Sequence, residues 1–353
     1  MLFNSYGCFS VVHRHKPVFT SSQIRKYATS SNISIPITPV NRQLSSKNTI
    51  TDQQRFGDDL LFQHIHDNLS SITQYQPLPS GSHRFNLGRT LPHILPYEPY
   101  PNRTRRADST ETSDIQAGDG IVVVVHLVQD SASKFIDYVV SSGFAIDPQG
   151  QDDGKMVVTC SHTLDQISTK YPDKPIHSFI LPSTPDPTPI PITSFPSSSI
   201  SDLLICTLPK SPTINQLRSL PVSPFPVYKG QKVLVHKYGT TTTSTSGIPW
   251  IKNILRREWK TAEMFGYRNY GWREVQPGTS SALPYITFST RPSPGSSGGP
   301  IIDAISGSVV GIVSGSRTLS AVKGERGYGS SAENIFELFT LPGFIPSSQK
   351  YKA

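Results

Sequence analysis

Three observations predict an all-β fold. Short β-branched runs recur from about residue 118 to 345, turns rich in Gly, Pro, Ser and Asp separate them at intervals of roughly 8–12 residues, and the strands do not alternate with long helical patterns. That grammar favours a barrel or a sandwich over a βαβ fold.

The elements follow in order. Strand-like runs are expected at 121–127, 135–140 and 141–147, then at 155–164 after a Gly/Asp/Gln turn. His162 stands where that last run gives way to a turn or short helix. Residues 201–208 place Asp202 at the head of an apolar strand, and 230–235 read as a turn leading into another. Residues 301–303 and 308–314 form a hairpin of two apolar strands behind a Gly-rich bend. Ser330 with Glu333 suits a capping box, and Ile335, Phe336, Leu338 and Phe339 give the apolar face of a closing helix.

The N-terminal third reads differently. Residues 28 to about 117 are polar and Pro-punctuated, and are expected to be a low-order arm. One amphipathic piece interrupts it, with Phe56, Leu60, Leu61, His64, Ile65 and Leu69 on helical spacing. His64, His66 and Asp67 raise a metal site, but neighbouring helix positions face different ways, and a docking helix is preferred. The first acidic residue is Asp52, and Arg14, Lys16, Arg25 and Lys26 fall within residues 1–27. A basic, Ser-rich, acid-free opening has the features of a mitochondrial transit peptide, with Arg25-Lys26-Tyr27-Ala28 as its processing site. Cleavage before Ala28 and residence in the mitochondrial matrix are expected.

Charge and cysteines bound the function. The formal charge is +8, of which those four cations supply half. A body that weakly basic does not argue for a nucleic-acid partner. Segment 250–273 does interleave Lys252, Arg256, Arg257, Lys260, Arg268 and Arg273 with Trp250, Trp259, Tyr267, Tyr270 and Trp272. Such a pattern can stack on a nucleic-acid strand, yet cleft walls carry the same residues and are the preferred reading. Cys160 and Cys206 lie in apolar runs and read as buried free thiols, with one disulfide between them as the alternative. No apolar stretch reaches the ~18 residues of a membrane span, so no span is expected.

The chemistry concentrates at Gly295-Ser296-Ser297-Gly298-Gly299-Pro300. A serine hydroxyl needs a tight exposed turn, a base, and donors for the oxyanion it generates. Glycines here allow the amides of Gly295 and Ser297 to converge, with Ser297 as nucleophile. The same residues fit the Gly-x-Ser-x-Gly elbow of α/β-hydrolases, where the histidine follows the serine. The last histidine of the chain is His236, so any base for Ser297 must come from upstream. His162, at the end of Val-Thr-Cys-Ser-His, is the candidate, with Asp202 to fix its tautomer. Asp165 and Asp173 compete for that role, but neither leads an apolar strand.

In this order of His162, Asp202-Leu-Leu-Ile and Gly295-Ser-Ser297-Gly-Gly-Pro, the chain resembles the trypsin-like serine peptidases. Ser-Gly-Phe-Ala-Ile-Asp and Pro294-Gly295-Ser296 look most similar to the HtrA-like branch. The resemblance covers about residues 118–340. It implies two packed antiparallel β-barrels, about 118–215 and 216–345, with the catalytic groups between them and a C-terminal helix after them. It also implies endopeptidase activity on polypeptide substrates without a metal or organic cofactor. Ser314, Gly315 and Ser316 resemble the edge that pairs with an extended substrate, and Tyr328 a pocket wall. Arg291 matches a pocket-base position, where it would favour an acidic residue if directed inward. Departures are Ser296 in place of the acid of digestive trypsins, and Thr-Cys-Ser-His in the histidine motif. The 56 residues after Ser297 are too few for a PDZ module. A silent, peptidase-like binding protein is the alternative function.

Overall fold

The computed structural model describes residues 76–102, 120–131, 134–150, 154–182, 188–211, 214–215, 217–239, 256–320 and 324–341. The expected transit peptide and the expected helix at 56–69 lie outside them. All described residues belong to one unit, Ile50–Ala353.

Two seven-stranded antiparallel sheets make up this unit. The first runs β5-β4-β1-β2-β3-β7-β6, from β1 (Ile121–Ser131), β2 (Lys134–Ile146), β3 (Met156–Cys160), β4 (Ile176–Pro182), β5 (Ile190–Pro191), β6 (Ser194–Ser199) and β7 (Leu203–Thr207). The second runs β10-β9-β11-β14-β13-β12-β8. Its members are β8 (Lys232–Gly239), β9 (Arg256–Arg268), β10 (Glu274–Val275), β11 (Tyr285–Phe288), β12 (Pro300–Asp303), β13 (Val309–Ser320) and β14 (Gly324–Ser331). An extra pairing of β8 with β9 closes six of these strands into a barrel. Among the described residues β5 and β6 do not pair, so the first sheet is a half-barrel. Helices are few: α1 (His162–Lys170) between β3 and β4, and α2 (Ala332–Glu337) at the end.

Period-2 alternation explains the packing. In β3 and β7, Val158, Cys160, Leu203 and Ile205 face the joint core, while Val157, Leu204 and Cys206 face the interior of the first sheet. Ile302, Val309 and Ile312 of the second sheet and Ile335 of α2 enter the same joint core. With both faces of the first sheet covered, its strands read as nearly unbroken apolar runs. Cys160 and Cys206 are free and buried.

Three expectations change. The runs at 135–140 and 141–147 are one strand, β2, because β1 pairs along almost its whole length. The capping box at Ser330 does not form: Ser331 is the N-cap of α2, while the hydroxyl of Ser330 donates to the carbonyl of Ser201. Glu333 instead accepts a 2.6 Å bond from the phenol of Tyr267. The arm expected at 28–117 contains a packed strap: residues 76–102 bridge to the domain at Leu78, Leu87, Leu91 and Ile94. Leu91 and Leu95 are buried in the joint core. The strap adds isolated bridges, not strands, and leaves no periodic trace in the sequence.

Candidate active site

His162 is the first residue of α1, directly after β3, so strand pairing fixes its backbone while the helix start turns its side chain outward. Asp202 lies on the turn into β7, the neighbour of β3, which brings residues 40 apart in sequence together. Its Oδ2 accepts a 2.8 Å bond from Nδ1 of His162. Its Oδ1 accepts from the amide of His162 at 2.8 Å, and from the amide and hydroxyl of Ser161, each at 3.1 Å. Three donors fix the carboxylate, and the fourth, Nδ1, ties the imidazole to it through that nitrogen. Asp202 has φ 73, in the left-handed region that Asp tolerates better than most residues.

Burial works against a charged His162. The bond to Asp202 and the contact with Cys160 outweigh it and raise the pKa above the ordinary histidine value. The other ring nitrogen, Nε2, lies 4.0 Å from the Cys160 Sγ.

Ser297 sits in the bend between β11 and β12, the edge of the closed barrel that meets the first sheet. Two bonds from Ser142 of β2 hold this bend: its amide donates to the carbonyl of Ser297 and its hydroxyl to that of Gly295, both at 2.8 Å. Thr159 of β3 in turn donates to the carbonyl of Ser142 at 2.7 Å. Gly298 shows how close this approach is: a Cβ there would lie 2.2 Å from the Ser142 carbonyl oxygen, at a φ of 81. Gly295 also has a positive φ, 82, which aims the following peptide back across the bend. Among the described residues the amides of Gly295 and Ser297 have no acceptor, whereas those of Ser296, Gly298 and Gly299 are bonded. Two idle donors on one bend suit a developing oxyanion.

An open cleft of about 550 Å³ adjoins Ser297, and Arg291, Gly315 and Ser316 line it as well. Arg291 is exposed and pairs with Glu325 at 3.1 Å. Ser314 is buried on β13 behind the cleft, its hydroxyl without a partner among the described residues. Tyr328 is not part of the lining. It packs edge-on against Trp272, which stacks on Tyr285 and lies under the Arg317 guanidinium. Burial raises the pKa of both Tyr285 and Tyr328; the charge of Asp202 adds to it at Tyr328 and, after Tyr270, at Tyr285, so this cluster flanks the acid.

The structure therefore joins His162 to Asp202, and groups Ser297 with Gly315, Ser316 and Arg291. It does not bond Ser297 to His162: among the described residues the hydroxyl of Ser297 makes no hydrogen bond. Sequence reasoning missed Ser161 and Ser142. Ser161 could have been noticed as the polar neighbour of His162, but Ser142 acts across 153 positions and leaves no local signal.

Residues 141–312 match the family model described as a trypsin-like peptidase domain, a span that contains His162, Asp202 and Ser297. Among solved structures, the chain is similar to the Rv3671c protease from M. tuberculosis in its active form, with 17% identity over 69% of this chain and 87% of that one, at a TM-score of 0.41. It is also similar to Deg5, with 15% identity over 63% of this chain and 88% of that one, at a TM-score of 0.39. No curated protein sequence matches it. Over residues 141–312 the chain is thus similar to a trypsin-like peptidase domain, and this span runs through both of its sheets.

Proposed function

We propose that the protein is a serine endopeptidase of the mitochondrial matrix, acting in protein processing or quality control. Ser297 attacks the scissile carbonyl, and Nε2 of His162 takes the serine proton and returns it to the leaving amine. Asp202 holds the Nδ1 proton, and the amides of Gly295 and Ser297 stabilise the oxyanion. Water then cleaves the acyl-enzyme by the same steps in reverse order. The observation that carries this reading is the 2.8 Å bond from His162 to Asp202, together with two idle amides beside Ser297. For turnover the ring of His162 must leave Cys160 for Ser297, a closure that catalytic bonds often complete only with substrate bound.

The second reading, a peptidase-like binding protein without turnover, rests on the same Nε2, which faces Cys160 in place of Ser297. Fluorophosphonate labelling decides between them. Stoichiometric labelling of the wild type, lost in Ser297→Ala and in His162→Ala, supports the peptidase. A folded protein that resists the probe supports the binding protein. The compartment rests on the acid-free basic segment ending at Arg25-Lys26-Tyr27-Ala28. N-terminal sequencing of the protein from mitochondria should begin at Ala28, and an unprocessed Met1 would rule that site out.

A further inference from the structure

Beside Ser297 the cleft presents two cations, Lys260 and Arg291, among prolines, serines and a glycine, and no carboxylate is among its described lining residues. The two cations are not equivalent. Arg291 is engaged with Oε2 of Glu325, whose Oε1 accepts from the hydroxyl of Ser316. Both oxygens of Glu325 are thus taken by cleft residues. Lys260 is exposed on β9 and has no acidic partner among the described residues. Strand pairing sets its position, opposite Val235 of β8.

Resting on Ser297 as the nucleophile, we propose that this cleft selects polypeptides with an acidic side chain on the residue that supplies the scissile carbonyl, and that Lys260 is the residue that reads it. The geometry is economical. The loop 291–294 that forms one wall runs straight into Gly295 and Ser297, and Gly315 and Ser316 form the edge opposite. A peptide whose carbonyl reaches Ser297 therefore has its adjacent side chain at this cleft. Pro292 and Pro294 fix φ at two positions of that wall, which limits how far it can rearrange. A carboxylate entering it meets a lysine with no internal counter-charge, then an arginine already shared. A lysine or arginine side chain meets like charge, which costs it the same contacts.

The test uses the full-length protein and matched fluorogenic peptides that differ only in the residue before the cut: Glu, Gln, Leu or Lys. With wild type, kcat/KM for Glu should exceed that for Gln by about 2- to 5-fold, the span of one exposed charge pair. The ratio should shrink as ionic strength rises. In Lys260→Gln the Glu/Gln ratio should fall close to one, and Lys260→Glu should invert the preference toward Lys. Equal rates for Glu and Gln, or a wild-type preference for Leu or Lys, would overturn the proposal. Should the wild type hydrolyse nothing, binding of labelled Glu and Gln peptides to Ser297→Ala, read by fluorescence anisotropy, reports on the cleft alone. Tighter binding of the Glu peptide that disappears with Lys260→Gln supports the cleft even if the nucleophile is misassigned, and equal binding overturns it. Fluorophosphonate labelling of the wild type, run in parallel, tests the nucleophile and is blind to this preference.

Discussion

Asp202 combines an electrostatic role with a strained backbone. Its carboxylate collects four donors while its φ of 73 lies where a Cβ costs about 1–2 kcal/mol. Asn shares the tolerance for that region but presents a carboxamide to Nδ1. Asp202→Asn should therefore remain folded while kcat falls by about 10³–10⁴-fold, the scale of losing the correct histidine tautomer. Asp202→Ala should also lose stability relative to Asp202→Asn, by about 1–3 kcal/mol, since the amides around it lose their acceptor and the strain has no local relief. Equal melting temperatures for the two variants would refute the strain argument. In the proposed mechanism the pH dependence is set by His162, whose pKa is raised by Asp202 and Cys160 against the effect of burial. A base must be neutral to accept a proton, so the acid limb of kcat/KM should lie above the ordinary value of about 6.5. Cys160→Ala removes one raising contact and should move that limb down, whereas an unmoved limb would show that the thiol has no influence. The stability contribution runs the other way. A pKa raised on folding contributes fully below about pH 6.5 and is lost as pH climbs through the folded value.

At the scale of elements, Ser297, the proposed nucleophile, belongs to one sheet and is held by the other. Ser142 of β2 grips both sides of the bend through the carbonyls of Gly295 and Ser297. Ser142→Ala keeps the backbone bond and removes the hydroxyl one. The expected result is a loss of about 1 kcal/mol in stability with a larger fractional drop in kcat than in substrate affinity, because in the proposed mechanism the displaced amide serves the oxyanion and not ground-state binding. A change in KM alone would assign Ser142 to substrate binding. Gly298→Ala should be far more severe, since its Cβ would overlap the Ser142 carbonyl and the Thr159 hydroxyl, both from paired strands that cannot retreat singly. This two-sheet arrangement also sets what could be read from sequence. The strands of the first sheet were legible because β-branched residues run through them, and the bend because Gly-Ser-Ser-Gly-Gly-Pro leads into a hairpin of two apolar strands and follows His162 and Asp202 in order. The grip of Ser142 was not, because a serine on a strand carries the same local signal whether its hydroxyl meets solvent or a carbonyl 153 residues away. Lys260 was visible only as one of several cations in a mixed segment, and nothing local distinguishes a lysine facing a cleft from one on an outer wall.

The molecule as a whole depends on a segment that its composition disguises. Residues 76–102 look like linker because they are polar and broken by proline, yet they cross the first sheet and reach α2, where the amide of Leu91 donates to the carbonyl of Leu338 and that of Thr340 to Leu91. The strap also reaches α1: His83 and Arg84 both bond to Asp165, three residues after His162, at 3.0 and 2.7 Å. Asp165, weighed against Asp202 from sequence as the orienting acid, therefore has a different task, anchoring the strap to α1. Leu91 and Leu95 then enter the core that both sheets share with α2. Truncating a core leucine removes its transfer free energy and leaves a cavity, so Leu91→Ala in the full chain should cost about 2–5 kcal/mol, read as a lower urea midpoint at unchanged slope. Phe85 lies on the same strap but is 88% exposed, and Phe85→Ala should stay within about 0.5 kcal/mol of wild type. If Leu91→Ala were equally silent, the strap would be an appendage resting on a core complete without it. If Leu91→Ala unfolds in step with the loss of probe labelling at Ser297, the strap is part of the cooperative unit that holds the two sheets, and with them His162, Asp202 and Ser297, in register.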